Sequence, residues 1–158
     1  MLKRILLIVF SLLILLVLAG YSLLQLSAPQ YEGEISIPAL QQPVSVHFDE
    51  FGVPHIEAEN NHDLFMAFGY VHAQERLFQM EMMRRAGSGT LAEVIGQPMI
   101  KVDRTFLTLG MKEYAEASAA RLETQRGTPM YEAIQSYLAG VNYYIESGPT
   151  PPEFGIIG

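Results

Sequence analysis

The chain has no cysteine. A disulfide, a thiolate–metal site and a cysteine nucleophile are therefore excluded from these residues, and the redox compartment leaves no trace. Positive charge is also scarce. Lys and Arg total 10 against 17 Asp and Glu, a net charge of −7. Two of the basic residues, Lys3 and Arg4, precede every acidic one, so the chain after residue 26 carries 8 basic against 17 acidic residues, a net of −9. Such a balance argues against a nucleic-acid partner, which would require a basic face, and fits an acidic soluble domain. Internal repeats and low-complexity tracts are missing as well.

The hydrophobic content of 49% is concentrated at the start. Ile5 to Leu26 is a run of 22 residues without a charge, preceded by Lys3 and Arg4. As a helix it would be roughly 33 Å long, enough for a bilayer core of about 30 Å. Two readings are open. One is a secretory signal cleaved near Val17 and Ala19. The other is an uncleaved anchor with its basic end in the cytoplasm. Leu18-Ala19-Gly20 begins like a lipoprotein signal, but Tyr21 stands where the lipid-bearing cysteine would be. Both readings send the rest of the chain across the membrane. The expected organisation is a leader or anchor at 1–26, a linker at 27–30, and a single segment at 31–158.

Past the linker, Tyr31 to Ile37 alternates like a strand, and Pro38 and Pro43 bracket a turn. Val44, Val46 and Phe48 alternate with polar residues as a half-buried strand. Asp49-Glu50-Phe51-Gly52 signals a tight turn, and Val53 to Ala58 returns as the second strand of a hairpin with Pro54 at its start. Asn60 is the expected N-cap of a long helix, with Asp63 favouring its positive end. Gly69 interrupts the helical pattern, as a kink or as a place where another backbone approaches. From Tyr70 to Arg85, Val71, Gln74, Leu77, Phe78 and Met82 share a face. Gly87-Ser88-Gly89 ends the helix, with Arg84 and Arg85 in its last turn.

Thr90 to Gln97 reads as a short turn of structure. Met99 to Gly110 is ambiguous, with Asp103-Arg104 able to cap a brief helix. Met111 to Arg126 reads as a surface helix with Ala115, Ala119 and Leu122 inward. Thr128-Pro129 starts a last helix, whose apolar stripe is Tyr131, Ile134, Leu138, Val141 and Ile145 until Gly148 and the following prolines end it.

Side chains with chemical potential are few. His47, His55, His62 and His72 lack the i,i+4 spacing of paired zinc ligands. His72 and Glu75 lie one turn apart and could form an acid–base pair or a coordinating pair, or simply fix helix packing. Arg76, Glu81, Arg84 and Arg85 could hold an anionic group, or form ion pairs that lock the helix, Glu81 to Arg85 having the favourable order. Gly87-Ser88-Gly89 lacks the Gly-Lys-Ser/Thr of a phosphate loop. Ser88 has no elbow motif and no neighbouring base. Met80, Met82 and Met83 read as core filler. No catalytic, cofactor-binding or metal-ligating residue is assigned.

Four stretches nevertheless have a family character: Asp49-Glu-Phe-Gly-Val-Pro-His-Ile56, Gly69-Tyr-Val-His-Ala-Gln-Glu-Arg-Leu-Phe-Gln-Met-Glu81, Arg84-Arg85 and Leu91-Ala-Glu93. They resemble the start of the penicillin acylase family of N-terminal-nucleophile amidohydrolases, more its penicillin acylase branch than its homoserine-lactone acylase branch. The likeness continues through Ala139-Gly-Val-Asn-Tyr-Tyr-Ile145 and Pro152-Glu-Phe154, covering about Gly33 to Gly158. One departure is Leu107, where relatives often carry a basic residue ahead of Leu109-Gly110.

The resemblance implies an α+β fragment of a four-layer αββα fold, here mostly helical with an N-terminal β-hairpin and preceded by a hydrophobic leader helix. It implies a longer precursor that cuts itself into two subunits, with the nucleophilic serine first in the large subunit and so outside residues 1–158. The expected function is that of the N-terminal part of an exported, periplasmic or inner-membrane-anchored hydrolase of linear amides, inactive by itself. The partners implied are the rest of the precursor, a small amide substrate, and the membrane through residues 5–26 if uncleaved. A structural calcium ion is implied too, with ligands outside this chain. The alternative kept open is a non-catalytic product or a membrane-tethered binding module. Residues 27–158 alone are expected to be molten or aggregated, because the two long helices carry apolar stripes with nothing in this stretch to meet them.

Overall fold

Helix formation by the apolar leader is the first feature of the computed structural model, which describes residues 2–157. Helix α1 spans Leu2–Leu26, and its described side chains are all exposed. By length and composition it suffices to cross a membrane.

Strands β1 (Ser45–Phe48) and β2 (Pro54–Glu57) pair antiparallel, with Val46 opposite Ile56 and His47 opposite His55. The connection is built as the residues require. Asp49 Oδ1 accepts from the backbone N–H of Phe51 and of Val53, both at 2.9 Å. Gly52 takes φ +74°, a conformation that side-chain-bearing residues rarely adopt. Pro54 heads its strand, where its missing N–H removes no internal ladder bond. Phe48 and Ile56 turn inward onto the core.

The expected strand over residues 31–37 does not form. Its alternation is real, but among the described residues the sheet has only β1 and β2. The segment instead lies as an irregular strap along the helices. The Tyr31 hydroxyl approaches Glu75 Oε2 at 3.4 Å, and the Tyr143 hydroxyl donates to the Ser36 carbonyl at 2.7 Å. The backbone N–H groups of Gln41 and Gln42 each donate to Asp63 at 2.9 Å. Side chains thus supply the partners that a neighbouring strand would have given.

Helix α2 runs Asn61–Ser88. Asn60 caps it, its side chain accepting from the Asp63 N–H at 2.8 Å. Gly89, in the left-handed region at φ +66°, ends it. Short helices α3 (Ala92–Ile95) and α4 (Ile100–Thr108) follow, joined by a 3-10 turn at Gln97–Met99. Asp103 lies in the first turn of α4 but acts elsewhere: its carboxylate accepts from the N–H groups of Leu91 (2.9 Å) and Ala92 (2.8 Å), capping α3.

Helix α5 covers Met111–Glu123, α6 Pro129–Ser147 and α7 Phe154–Ile157. Thr128 caps α6, accepting from Tyr131 N–H at 3.3 Å, with Pro129 in the first turn. The inward face expected for α5 is corrected: Ala115 and Ala119 are exposed and only Leu122 is half-buried. The α6 stripe is also rotated. Val141 is buried, but Leu138 and Ile145 are 42% and 55% exposed, while Gly140 and Tyr144 are buried in their stead. The reason is the close approach of α2, which selects the small residue rather than the apolar one.

The core lies between α2 and α6. Tyr70, Val71, Ala73, Val141 and Tyr144 form its buried centre, with Ile37, Phe48, Ile56 and Leu77 packed around it. Gly69 resolves the question left by the sequence: a Cβ there would lie 2.0 Å from the Tyr137 carbonyl oxygen, so the glycine admits the α6 backbone.

Candidate functional site: the face shared by α2 and α6

The helices α2 and α6 bring polar and aromatic groups together along their shared face. His72 Nδ1 lies 2.8 Å from the Tyr137 hydroxyl, across the helix pair. Phe68 stacks beside His72, with ring centroids 5.8 Å apart and planes 16° apart. Burial pushes the Tyr137 phenol up from its ordinary value, keeping it a neutral hydrogen-bonding group. On the other side of α2, Tyr70 meets Tyr144 edge-on at 5.3 Å. The Tyr144 hydroxyl donates to the Pro149 carbonyl at 3.1 Å, tying down the chain after α6.

The proposed partnership of His72 with Glu75 is not what these contacts describe. His72 turns toward Tyr137, while Glu75 accepts from Tyr31 and from Gln74 Nε2 at 3.3 Å. His72 thus joins α2 to α6, and Glu75 joins α2 to the strap. Arg76 is exposed. Glu81 bridges its own helix: it accepts from Arg84 at 2.6 and 2.8 Å and from Arg85 Nε at 2.6 Å. Arg85 reaches on to Glu93 of α3 at 3.4 Å. Hydrogen bonding to Arg84 is the largest cause holding the Glu81 carboxyl below its ordinary value. The cluster is a lock between α2 and α3 with its carboxylate already engaged twice, not a vacant anion seat.

The other histidines go to separate places. His47 and His55 stack across the hairpin at 5.0 Å, and His55 Nε2 lies 3.2 Å from Asp49 Oδ2. His62 Nδ1 lies 3.0 Å from Asp63 Oδ1. Among the described residues no group of three His, Asp or Glu side chains is placed to hold a metal ion. Met80 packs against the core and Met82 is half-buried, whereas Met83 is 73% exposed.

Two residues matter more than their sequence signal suggested. Asp63 has no exposed surface and receives four groups: the N–H of Gln41 and of Gln42, Asn60 Nδ2 at 2.6 Å, and His62. Burial would raise its pKa, but the hydrogen bonds from Gln41, His62, Asn60 and Gln42 outweigh this and hold the carboxyl far below the usual range. The carboxylate is fully buried, enclosed by the Gln41–Gln42 backbone, Asn60 and His62. Its position three residues after Asn60 marked the cap but not the clamp. Gly140 was the other: a Cβ on it would lie 2.0 Å from the Met66 carbonyl oxygen. No local signal distinguishes it from a helix-weakening glycine. A groove of about 640 Å³ also opens between the strap, β1 and α2, lined by Ile37, Val44, Phe48 and Tyr70 among others.

This scaffold, with its hairpin, capped long helix and paired glycines, has known counterparts. The Penicillin amidase family model matches residues 43–158, and the chain belongs to that family. It is 40% identical to the penicillin acylase 2 proenzyme of Pseudomonas sp. (strain SE83) over 136 residues, 85% of this chain and 17% of that protein. Identity to the penicillin G acylase of Escherichia coli is 38% over 122 residues, 75% of this chain and 14% of that protein. The acyl-homoserine lactone acylase QuiP of Pseudomonas aeruginosa is 34% identical over 120 residues, 75% of this chain and 14% of that protein. In structure, the thermostable penicillin G acylase of Alcaligenes faecalis superposes with a TM-score of 0.59 at 31% identity, covering 75% of this chain and 63% of that one. The mostly helical architecture with its hairpin thus matches a piece of that structure. The chain spans less than a fifth of the length of the curated relatives it matches.

Proposed function

We propose that these residues form the N-terminal part of the small subunit of an exported amide hydrolase, and that they contribute framework rather than reacting groups. The observation that carries this reading is the family match over residues 43–158 combined with the small share, 14–17%, of the relatives' length that it represents. The polar side chains fit a framework role: among the described residues no buried side-chain nitrogen or oxygen lacks a partner. One relative is itself called a proenzyme, which supports a precursor that is later divided.

The reaction proposed for the whole protein is acyl transfer. The hydroxyl oxygen of a serine at the start of the large subunit attacks the amide carbonyl carbon, and its proton passes to that serine's own α-amino group. Backbone and side-chain donors stabilise the oxyanion. The C–N bond breaks as the amine leaves with the proton. Water then adds to the acyl ester, releasing the carboxylic acid and restoring the serine. The substrate class is a linear amide. Residues 31–158 support this by holding α2, α6 and the hairpin in fixed relation around the pocket.

The place of action proposed is outside the cytoplasm. The 25-residue α1, with Lys3 and Arg4 at its start, supports a signal or an anchor. Apolar residues continue past Ala19 at Leu23, Leu24 and Leu26, which favours the anchor. The test is to sequence the reading frame past Gly158 and assay its product. A frame of several hundred codons with a Gly-Ser-Asn junction, whose product hydrolyses a chromogenic acyl-anilide and loses activity on serine replacement, is the expected result. A stop codon directly after Gly158 would leave a tethered, non-catalytic module instead.

A further inference from the structure

The stretch between α1 and β1 has the composition of a flexible tether, yet it is fastened at successive points. Ser27 and Pro29 are half-buried in a cleft of about 180 Å³ whose walls include Gln74, Leu77, Phe78, Tyr144 and Pro152. Tyr31 sets its ring edge-on to Phe48 at 5.2 Å and its hydroxyl toward Glu75. Ser36 is held by Tyr143 and Gln41-Gln42 by Asp63. The bonds alternate between α2 and α6, the two helices of the core. Only residues 27–30 separate the end of α1 from the first of these aromatic contacts, at most about 14 Å when extended.

At its other side the strap joins a helix whose described side chains are all exposed. Among the described residues, no protein surface covers α1. Its length suits a bilayer, its basic residues lie only at its N-terminal end, and Tyr21, near its C-terminal end, pairs with Gln25 at 3.1 Å. An aromatic side chain with a polar tip at that level is the usual occupant of a membrane–water interface.

We propose that residues 27–42 are a docked strap that holds the globular part directly against the face of a lipid bilayer spanned by α1. This rests on the anchor reading above and adds to it the absence of a stalk. The globular part is acidic, so the apposition comes from the chain connection rather than from attraction to lipid charge.

The test uses the full-length protein in phosphatidylcholine nanodiscs. Because the chain lacks cysteine, Pro29→Cys and Glu59→Cys provide single labels in this part of the protein. The N-terminus of the membrane-bound protein should read from Met1. A membrane-impermeant maleimide should label Pro29→Cys about tenfold more slowly than Glu59→Cys, since the strap must first open. An insertion of about ten Gly/Ser residues between Ala28 and Pro29 adds roughly 18 Å of reach. It should therefore lower energy transfer from a dye at Glu59→Cys to a headgroup acceptor. An N-terminus beyond Ala19 would remove the anchor and the proposal with it. An intact N-terminus, with fast labelling at position 29 and energy transfer unaffected by the insertion, would keep the anchor and overturn the strap.

Discussion

Gly69 and Gly140 lie on the facing sides of α2 and α6, each occupying a spot where a methyl group would strike the backbone of the other helix. The gaps are symmetric: an added Cβ would sit 2.0 Å from the carbonyl oxygen of Tyr137 in one direction and of Met66 in the other. A backbone carbonyl cannot swing aside like a flexible side chain, so the helices must separate. Gly140→Ala in the full-length protein should cost about 3 kcal/mol, the upper end of overpacking penalties. A denaturant midpoint unchanged from the parent would show that α6 can shift freely, contrary to the tight contact.

The Asp63 clamp predicts a large effect from a small change. Asp63→Asn replaces one accepting oxygen with a donor that meets a backbone N–H. The expected loss is about 2 kcal/mol, from at least one charge-assisted bond turned into a clash of donors. Urea melts at neutral pH, compared with Asp63→Ala, give the measurement. A neutral substitution would mean that the strap is not fastened there.

Acid should act through the same carboxylate. Its folded pKa is depressed relative to the ordinary 3.8, so its contribution is complete above that value and is lost as pH falls toward the folded pKa. Stability of the parent should therefore decline below about pH 4 more steeply than that of Asp63→Asn, which has no proton to gain at this site. Parallel slopes for the two proteins between about pH 5 and pH 2 would contradict this.

The Glu81 cluster should behave differently. Arg84 is 62% exposed and the pairs are partly screened. Glu81→Gln is expected to cost less than about 1 kcal/mol, and less again in high salt. Urea melts of the two variants side by side check the order. A cost for Glu81→Gln above that for Asp63→Asn would make the surface lock, not the buried clamp, the stronger fastening.

Residues 27–158 expressed alone should be molten. Met130, Leu138, Ile145, Met83 and Tyr114 are all more than 40% exposed, so α2, α5 and α6 each keep large apolar side chains in water. Dye binding with a broad, non-cooperative melt is the expected signature. A sharp transition would show that this piece is self-sufficient.

The sequence revealed those features whose cause is local. Asn60, Thr128 and Gly89 mark helix ends because their side chains, or the lack of one, act within four residues. The turn at Asp49–Gly52 is local in the same way. What escaped depends on distant partners. Residues 31–37 alternate like a strand, yet pairing requires a neighbour, and Tyr143 and Asp63 took the backbone groups of the strap instead. Asp103 reads as a cap for its own helix, but it serves Leu91 and Ala92, well back in the chain. Leu138 and Ile145 have the period of a core stripe, but the face that α6 buries was fixed by where two glycines allow α2 to approach. As for the site, the histidines and the Arg–Glu cluster could be enumerated, while Tyr137, the group His72 meets, lay outside any motif.

The glycine contact also has a meaning for how this protein can diversify. It fixes the start of α2 to the middle of α6, so everything between residues 89 and 128 is an excursion whose two ends are held together by something else. Loop closure depends only weakly on loop length. Within the excursion, α5, whose side chains are nearly all exposed, can thus lengthen, shorten or change its surface while the paired helices stay in place. Variation among members of the family should accumulate there, and it is the natural position for grafting a foreign segment.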